Sequence, residues 1–522
     1  LTPPTSAPSR VISRITDSWN GRVRRESEIF RRRVEIRWPA EAEAARIAEL
    51  DYLDPASSMK SETEASTSAS DDLVRTLTRT EYFTFGFGAM VGVGWVVLMD
   101  DWLSRGGPGG AALGFLIGGI LLLPVAATYG RMVREVPDAG GEIAYTEGVF
   151  PPAAGFASAW TMVLAYAIVC PWEAVAVGNL LSRVFPVFQA IPLYTVAGRV
   201  MTLPRLVVGL ALTGAVAGIN IRGIRPSAAF QKLLTFALLA IFAVFTALGF
   251  ARGHAANLAP LFARPGAGGA ALSILLVMQI VPYFMTGFES VGKGSEEARR
   301  GFDPRDFGRA ILAAAVIGCL FYVTIVLAVS FVFPWRTLVT EKLGTEAAFA
   351  RAFGSQAVAD WILFAALLSL VKIFNGNFVA ATRMLFGIGR RGLVHPALAR
   401  VHPARGTPRN AIALMAVLTA AASFLGDAIL IPVSEVGSLA VGVGWFSTCL
   451  ADRLRARRSG RSGGREAVTA WAGAAVSAAV VAMKVTPWVA GSFSRAEWAA
   501  FLGWSALGAA FWAARPRKLG PS

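Results

Sequence analysis

The chain runs to 522 residues, 54% of them hydrophobic and only 16% charged, with a mean hydropathy of +0.53. A soluble protein of this size carries about 25% charge, so a water-soluble globule is excluded for most of its length. The formal charge of +16 does not point to nucleic acid, because Lys and Arg gather in alternate loops between apolar runs.

In chain order, residues 1–58 are polar, Arg-rich and without a periodic apolar face. They are expected to be a disordered tail or translated upstream sequence ahead of Met59, the first methionine. A cytoplasmic Ser/Thr/Glu-rich linker over 59–80 follows. Apolar runs of about 20 residues, the length that crosses a bilayer, then recur twelve times. They lie near 83–103, 111–132, 153–183, 203–219, 228–250, 271–293, 308–334, 357–388, 409–426, 431–450, 467–490 and 497–514. With a cytoplasmic N-terminus, the inner loops hold more than twice the Lys and Arg of the outer ones. That asymmetry orients the chain with both termini in the cytoplasm of a cell whose plasma membrane it spans. Cys170, Cys319 and Cys449 fall in apolar runs, and the three histidines fall in loops. No metal site, disulfide framework or cofactor is expected.

Two runs are weak where a helix should be continuous. Gly86-Phe-Gly-Ala-Met-Val-Gly-Val-Gly94 has four glycines in nine residues, each costing a helix roughly 1 kcal/mol relative to alanine. Met285-Thr-Gly-Phe-Glu-Ser-Val-Gly292 interrupts the sixth run. Broken backbone at membrane depth survives only where it lines a cavity or is buried in protein. Two such breaks in corresponding halves are the best sequence pointer to a transporter's binding site. The expected architecture is all-α: a ten-helix core over 81–452, with repeats near 81–252 and 268–452, and two accessory helices over 465–515.

Several stretches together resemble the amino acid–polyamine–organocation (APC) permease superfamily. Met90-Val-Gly-Val-Gly94 is similar to its first-helix glycine signature, and Tyr129–Tyr145 with Pro108 to its second helix and following loop. Thr286-Gly-Phe-Glu-Ser290 is similar to its sixth helix, and Arg383–Leu393 with Gly406-Thr-Pro408 to the eighth-helix end and next loop. The resemblance implies a five-plus-five inverted repeat of the LeuT-like kind, alternating access, and amino acids or related amines as substrates.

An α-amino acid presents a carboxylate and an ammonium on one carbon. The freed amides of Gly92, Val93 and Gly94, at the positive end of a half-helix, suit the carboxylate. Carbonyls of Ala89, Met90, Tyr283, Phe284 and Thr286 suit the ammonium. Gly287 permits the second break, and Tyr283, Phe284 and Phe288 are candidate aromatic caps. A glycine stripe that merely packs helices is the competing reading of the first break.

Ionisable groups at membrane depth carry functional suspicion. Lys372 lies mid-span in the eighth run and Glu173 mid-span in the third. Sodium-coupled relatives of this fold hold a cation between the first and eighth helices. The Lys372 ammonium is expected to stand in that place and to couple transport to protons, or to form an ion pair with Glu173. Some proton-coupled relatives carry a lysine in mid-helix 5, where this chain has Leu238. Glu289 and Lys293, four apart, are expected to pair along one helix face. With Arg131 and Glu296 they are assigned to a cytoplasmic gate network. The expected function is proton-coupled amino acid import, with amine exchange, polyamine transport and a non-transporting receptor as alternatives. An enzyme is not expected, and no Walker loop supports ATP-driven transport.

Overall fold

A computed structural model describes residues 73–427, 433–461, 463–489 and 491–516. The expectations for 1–58, and for the linker up to residue 72, lie outside the described residues. Helices occupy all twelve predicted runs. Seven helices are long and apolar enough to cross a membrane, and a bent pair, Gly266–Met278 with Val281–Glu297 at 42°, makes an eighth.

Helix α1 (Arg79–Met90) starts at a capping box, in which the Thr78 amide donates to the Glu81 carboxylate at 2.8 Å. It stops at Met90, and Val91 is extended. A single turn, α2 (Gly94–Val97), resumes the span. The next helix, α3 (Met99–Glu135), contains the end of the first span and all of the second. They part at Gly107, whose φ of 65° lies outside the helical region just before Pro108. A short helix α4 (Glu142–Thr146) follows in the loop between spans 2 and 3. The third span is α5 (Pro152–Ala167) running on into α6 (Val169–Val184).

One feature departs from an all-α chain. After α6, β1 (Pro192–Val196) and β2 (Arg199–Thr202) form an antiparallel hairpin in the loop between spans 3 and 4. Ala197 and Gly198 both take positive φ, 49° and 75°, as a two-residue type I′ turn requires.

Spans 4 and 5 are α7 (Leu203–Arg222) and α8 (Ile224–Arg252). Span 6 breaks between α9 (Gly266–Met278) with α10 (Val281–Met285) and a 3₁₀ segment, Phe288–Glu297. Span 7 is α11 (Arg305–Val332); the short helices α12 (Trp335–Thr340) and α13 (Thr345–Phe353) link it to span 8, α14 (Gln356–Arg390). Spans 9 and 10 are α15 (Arg409–Ser423) and α16 (Val433–Arg458), and α17 (Arg465–Val485) with α18 (Arg495–Ala513) complete the set.

The interior is apolar and aromatic, but so is much of the outside. Leu233, Val207, Leu320 and Trp361 are all exposed. Large apolar side chains left exposed on helices of membrane-spanning length mark contact with lipid. The accessory α18 docks on α5 through Trp160 and Trp504, whose rings stack at 4.9 Å. Each indole N–H donates to the other's backbone carbonyl at 3.0 Å. That pairing satisfies two polar groups that lipid would leave unsatisfied.

Candidate substrate site between two broken helices

The two breaks touch. Gly287, at φ 134°, lies so close to span 1 that a Cβ there would meet the Met90 amide nitrogen at 2.5 Å and the Ala89 carbonyl carbon at 2.6 Å. Only glycine allows both that dihedral and that approach. Beside this crossing lies a cavity of about 30 Å³, room for only a few waters. An amino acid can enter only if its walls move.

Ala89, Met90, Gly92, Val93 and Gly94 of span 1 and Tyr283, Phe284 and Thr286 of span 6 line the cavity. Gly287 and Phe288 stand outside it. Phe288 instead stacks on Trp445 at 5.5 Å. The Phe284 ring would sit 2.8 Å from a Cβ on Gly94, and it meets Trp102 edge-on at 4.8 Å. The amides of Val93 and Gly94 have no hydrogen-bond partner among the described residues.

The carbonyls at the other lip are differently placed. Asn377 Nδ2 donates to the Ala89 carbonyl at 3.1 Å, and the Tyr322 hydroxyl donates to that of Met90 at 3.1 Å. The Ser369 hydroxyl bridges the Val91 and Gly92 carbonyls at 3.1 and 2.8 Å. These three residues escaped the sequence reading. Ser369, Lys372, Ile373, Gly376 and Asn377 recur at helical spacing, a small and polar stripe on an apolar helix. That stripe was the available signal on span 8. Tyr322 had none.

Lys372 is fully buried and donates to the carbonyls of Val91 at 2.6 Å and Gly88 at 3.3 Å, with the Phe87 ring 5.2 Å away. The ammonium therefore sits in the carbonyls exposed by the span 1 break. The alternative of an ion pair with Glu173 does not form. Glu173 is buried on the cavity wall, and its Oε2 has no partner among the described residues.

The expected pairing of Glu289 with Lys293 is also absent. Lys293 Nζ binds Glu142 Oε1 at 2.6 Å, both side chains fully enclosed. Glu289 instead accepts from the Gly287 amide at 3.0 and 3.1 Å and from the Tyr166 hydroxyl at 3.0 Å. The reason is the 3₁₀ geometry of Phe288–Glu297, in which i and i+3 eclipse and i+4 turns away.

The four residues assigned to one gate network fall into three groups. Arg131 pairs with Asp452 at 3.2 Å. Glu289 and Lys293 belong to the buried cluster just described. Glu296 joins a rim beside the loop between spans 2 and 3, binding Arg390 and accepting from the Ala139 amide at 2.9 Å. Asp138 completes that rim, 2.9 Å from both Arg390 and Arg391. Burial pushes the Asp138 carboxyl up, but the two guanidiniums and the Gly140 amide outweigh it and hold it below the usual carboxylate range. Among the described residues no cluster of His, Cys, Asp or Glu could hold a metal ion.

A multi-pass helical membrane protein whose two broken spans cross beside a small cavity has the architecture of a transport protein. The chain belongs to the amino acid permease family, whose model matches residues 82–493. It is 24% identical over 406 residues to the amino-acid permease RocE of Bacillus subtilis (strain 168), covering 76% of this chain and 84% of that permease. It is 25% identical over 388 residues to the methylthioribose transporter of the same organism, covering 73% and 81%. A third relative, the branched-chain amino acid permease BcaP, again from Bacillus subtilis, is 25% identical over 394 residues, covering 73% and 80%.

Proposed function

We propose that this chain is a secondary active transporter that moves amino acids across the plasma membrane by alternating access, in symport with protons. Supporting the reading is the placement of the unpartnered Val93 and Gly94 amides on a cavity wall where span 1 is broken. Two adjacent N–H groups at the start of a half-helix offer an α-carboxylate the donors and dipole that water would otherwise supply. Ala89, Met90, Tyr283, Phe284 and Thr286 form the rest of the substrate wall, and Phe284 covers the site from the Trp102 side.

Lys372 supports the coupling. Its ammonium holds the exposed carbonyls of span 1 to span 8. Losing its proton would remove a positive charge and a donor from that junction and free the two spans to separate. Protonation state and conformation are thereby linked, as symport requires. The five-plus-five repeat, with both termini cytoplasmic, supplies the two halves that rock against each other around the cavity.

The test is uptake of the twenty amino acids into proteoliposomes, with and without an inward proton gradient. Concentrative uptake driven by the gradient is expected for at least one. Uptake that needs internal amino acid and ignores the gradient would replace symport with exchange.

A further inference from the structure

In the reading just given, the carboxylate of the substrate rests on the Val93 and Gly94 amides, and what binds its ammonium is the remaining question. The span 1 carbonyls expected for that task, those of Ala89 and Met90, already accept hydrogen bonds from Asn377 and Tyr322. One strong acceptor on the cavity wall is unclaimed. Glu173 is 1% exposed, its Oε2 makes no hydrogen bond among the described residues, and its Oε1 lies 3.3 Å from a Cβ built on Gly92. It therefore stands beside the break, within the span of an amino acid held at Val93 and Gly94.

We infer that Glu173 is the ammonium-binding group of the site and makes a protonated primary amine the required feature of the substrate. A buried carboxylate without a partner is costly, and an arriving ammonium satisfies it with a charge-assisted hydrogen bond. The titratable groups that face Glu173 are Lys372 from span 8, Tyr283 from span 6, Tyr322 from span 7 and Cys170 from its own helix. Of these only Lys372 is a cation, and its donors already hold the Gly88 and Val91 carbonyls. With Glu173 and Lys372 both ionised the walls are neutral overall, matching a zwitterion. Glu173 thus separates amines from uncharged or purely anionic solutes of the same shape.

The inference is tested by competition binding to the purified protein with three matched pairs: alanine and lactate, leucine and 2-hydroxyisocaproate, phenylalanine and phenyllactate. In each pair a hydroxyl replaces the ammonium. The native protein should prefer the amino member of the best-bound pair by at least about tenfold, the usual scale for a hydrogen bond to a charged group. Glu173→Gln should collapse that ratio toward one while leaving the hydroxy member's affinity unchanged. If that variant unfolds in detergent, Glu173→Asp serves instead, and should weaken the amino member alone. A preserved ratio in a folded variant overturns the assignment, even if proton drive is lost, because Glu173 would then carry a proton and not the amine. If another of the twenty amino acids binds best, it and its hydroxy analogue form the decisive pair; if none of the twenty binds the native protein, the amino acid reading fails and this inference with it. A preserved ratio leaves the amino acid reading standing.

Discussion

Two buried lysines next to the broken spans, Lys293 and Lys372, are held in opposite ways. Lys293 meets a carboxylate, Glu142, at 2.6 Å, with the rings of Tyr129 and Tyr166 at 5.2 and 5.5 Å. Lys372 meets only carbonyls, those of Gly88 and Val91, and the Phe87 ring. The first is an ion pair where span 6 continues as a 3₁₀ segment against α4. The second depends on an interrupted helix, because an intact one would have turned those carbonyls into its own ladder. The Lys293–Glu142 pair needs only its two side chains, whereas the carbonyl partners of Lys372 exist only while the break keeps its shape.

The largest effect should come from breaking the ion pair. Lys293→Met leaves Glu142 buried and unpaired, which costs about 3–5 kcal/mol. A marked fall in the detergent melting temperature is expected, largely recovered in the double variant Lys293→Met/Glu142→Gln. If the single variant melted like the native protein, the pair would not be structural. Lys372→Met removes hydrogen bonds to neutral carbonyls only, worth about 0.5–3 kcal/mol in all. Its expected signature is functional: substrate still binds, but a proton gradient no longer drives uptake. Full pH-driven uptake by Lys372→Met would remove the coupling role and the contrast with it.

The smallest effect belongs to the rim around Asp138. The Asp138 pairs are partly exposed, so Asp138→Asn should cost no more than about 1 kcal/mol. Because the folded protein holds this carboxyl below its ordinary value, its contribution is fully present above the unfolded value, near 3.9. It is lost as pH falls through the lower folded value. The melting-temperature difference between native protein and variant should therefore stay constant from about pH 5 to 8 and shrink below about pH 4. A difference that grew on acidification would contradict the sign.

Much of the fold was legible because the bilayer allows so few solutions. Apolar length placed the twelve runs, and glycine density placed both breaks to within a residue or two. Turn chemistry at Ala197 and Gly198 was overlooked, so the hairpin between spans 3 and 4 came as a departure. In the site, eight of the ten substrate candidates lie on the cavity because a broken helix exposes its own local backbone. Gly287 and Phe288 do not, since the exit direction of span 6 after its break depends on what it packs against.

Side-chain partners were the less legible part. The Glu289–Lys293 expectation assumed 3.6 residues per turn, and the 3₁₀ winding of that segment sent each side chain elsewhere. Asn377, Ser369 and Tyr322 became visible only when spans 7 and 8 were laid against span 1. By itself the sequence determined that this chain spans a membrane, where two helices break, and which family it joins. Each of these follows from local composition meeting a uniform solvent. The tertiary structure alone decided which buried charge meets a carboxylate, which meets a carbonyl, and which, at Glu173 Oε2, has no partner among the described residues. Those outcomes rest on contacts of a few ångströms between segments hundreds of residues apart, and no local pattern encodes them.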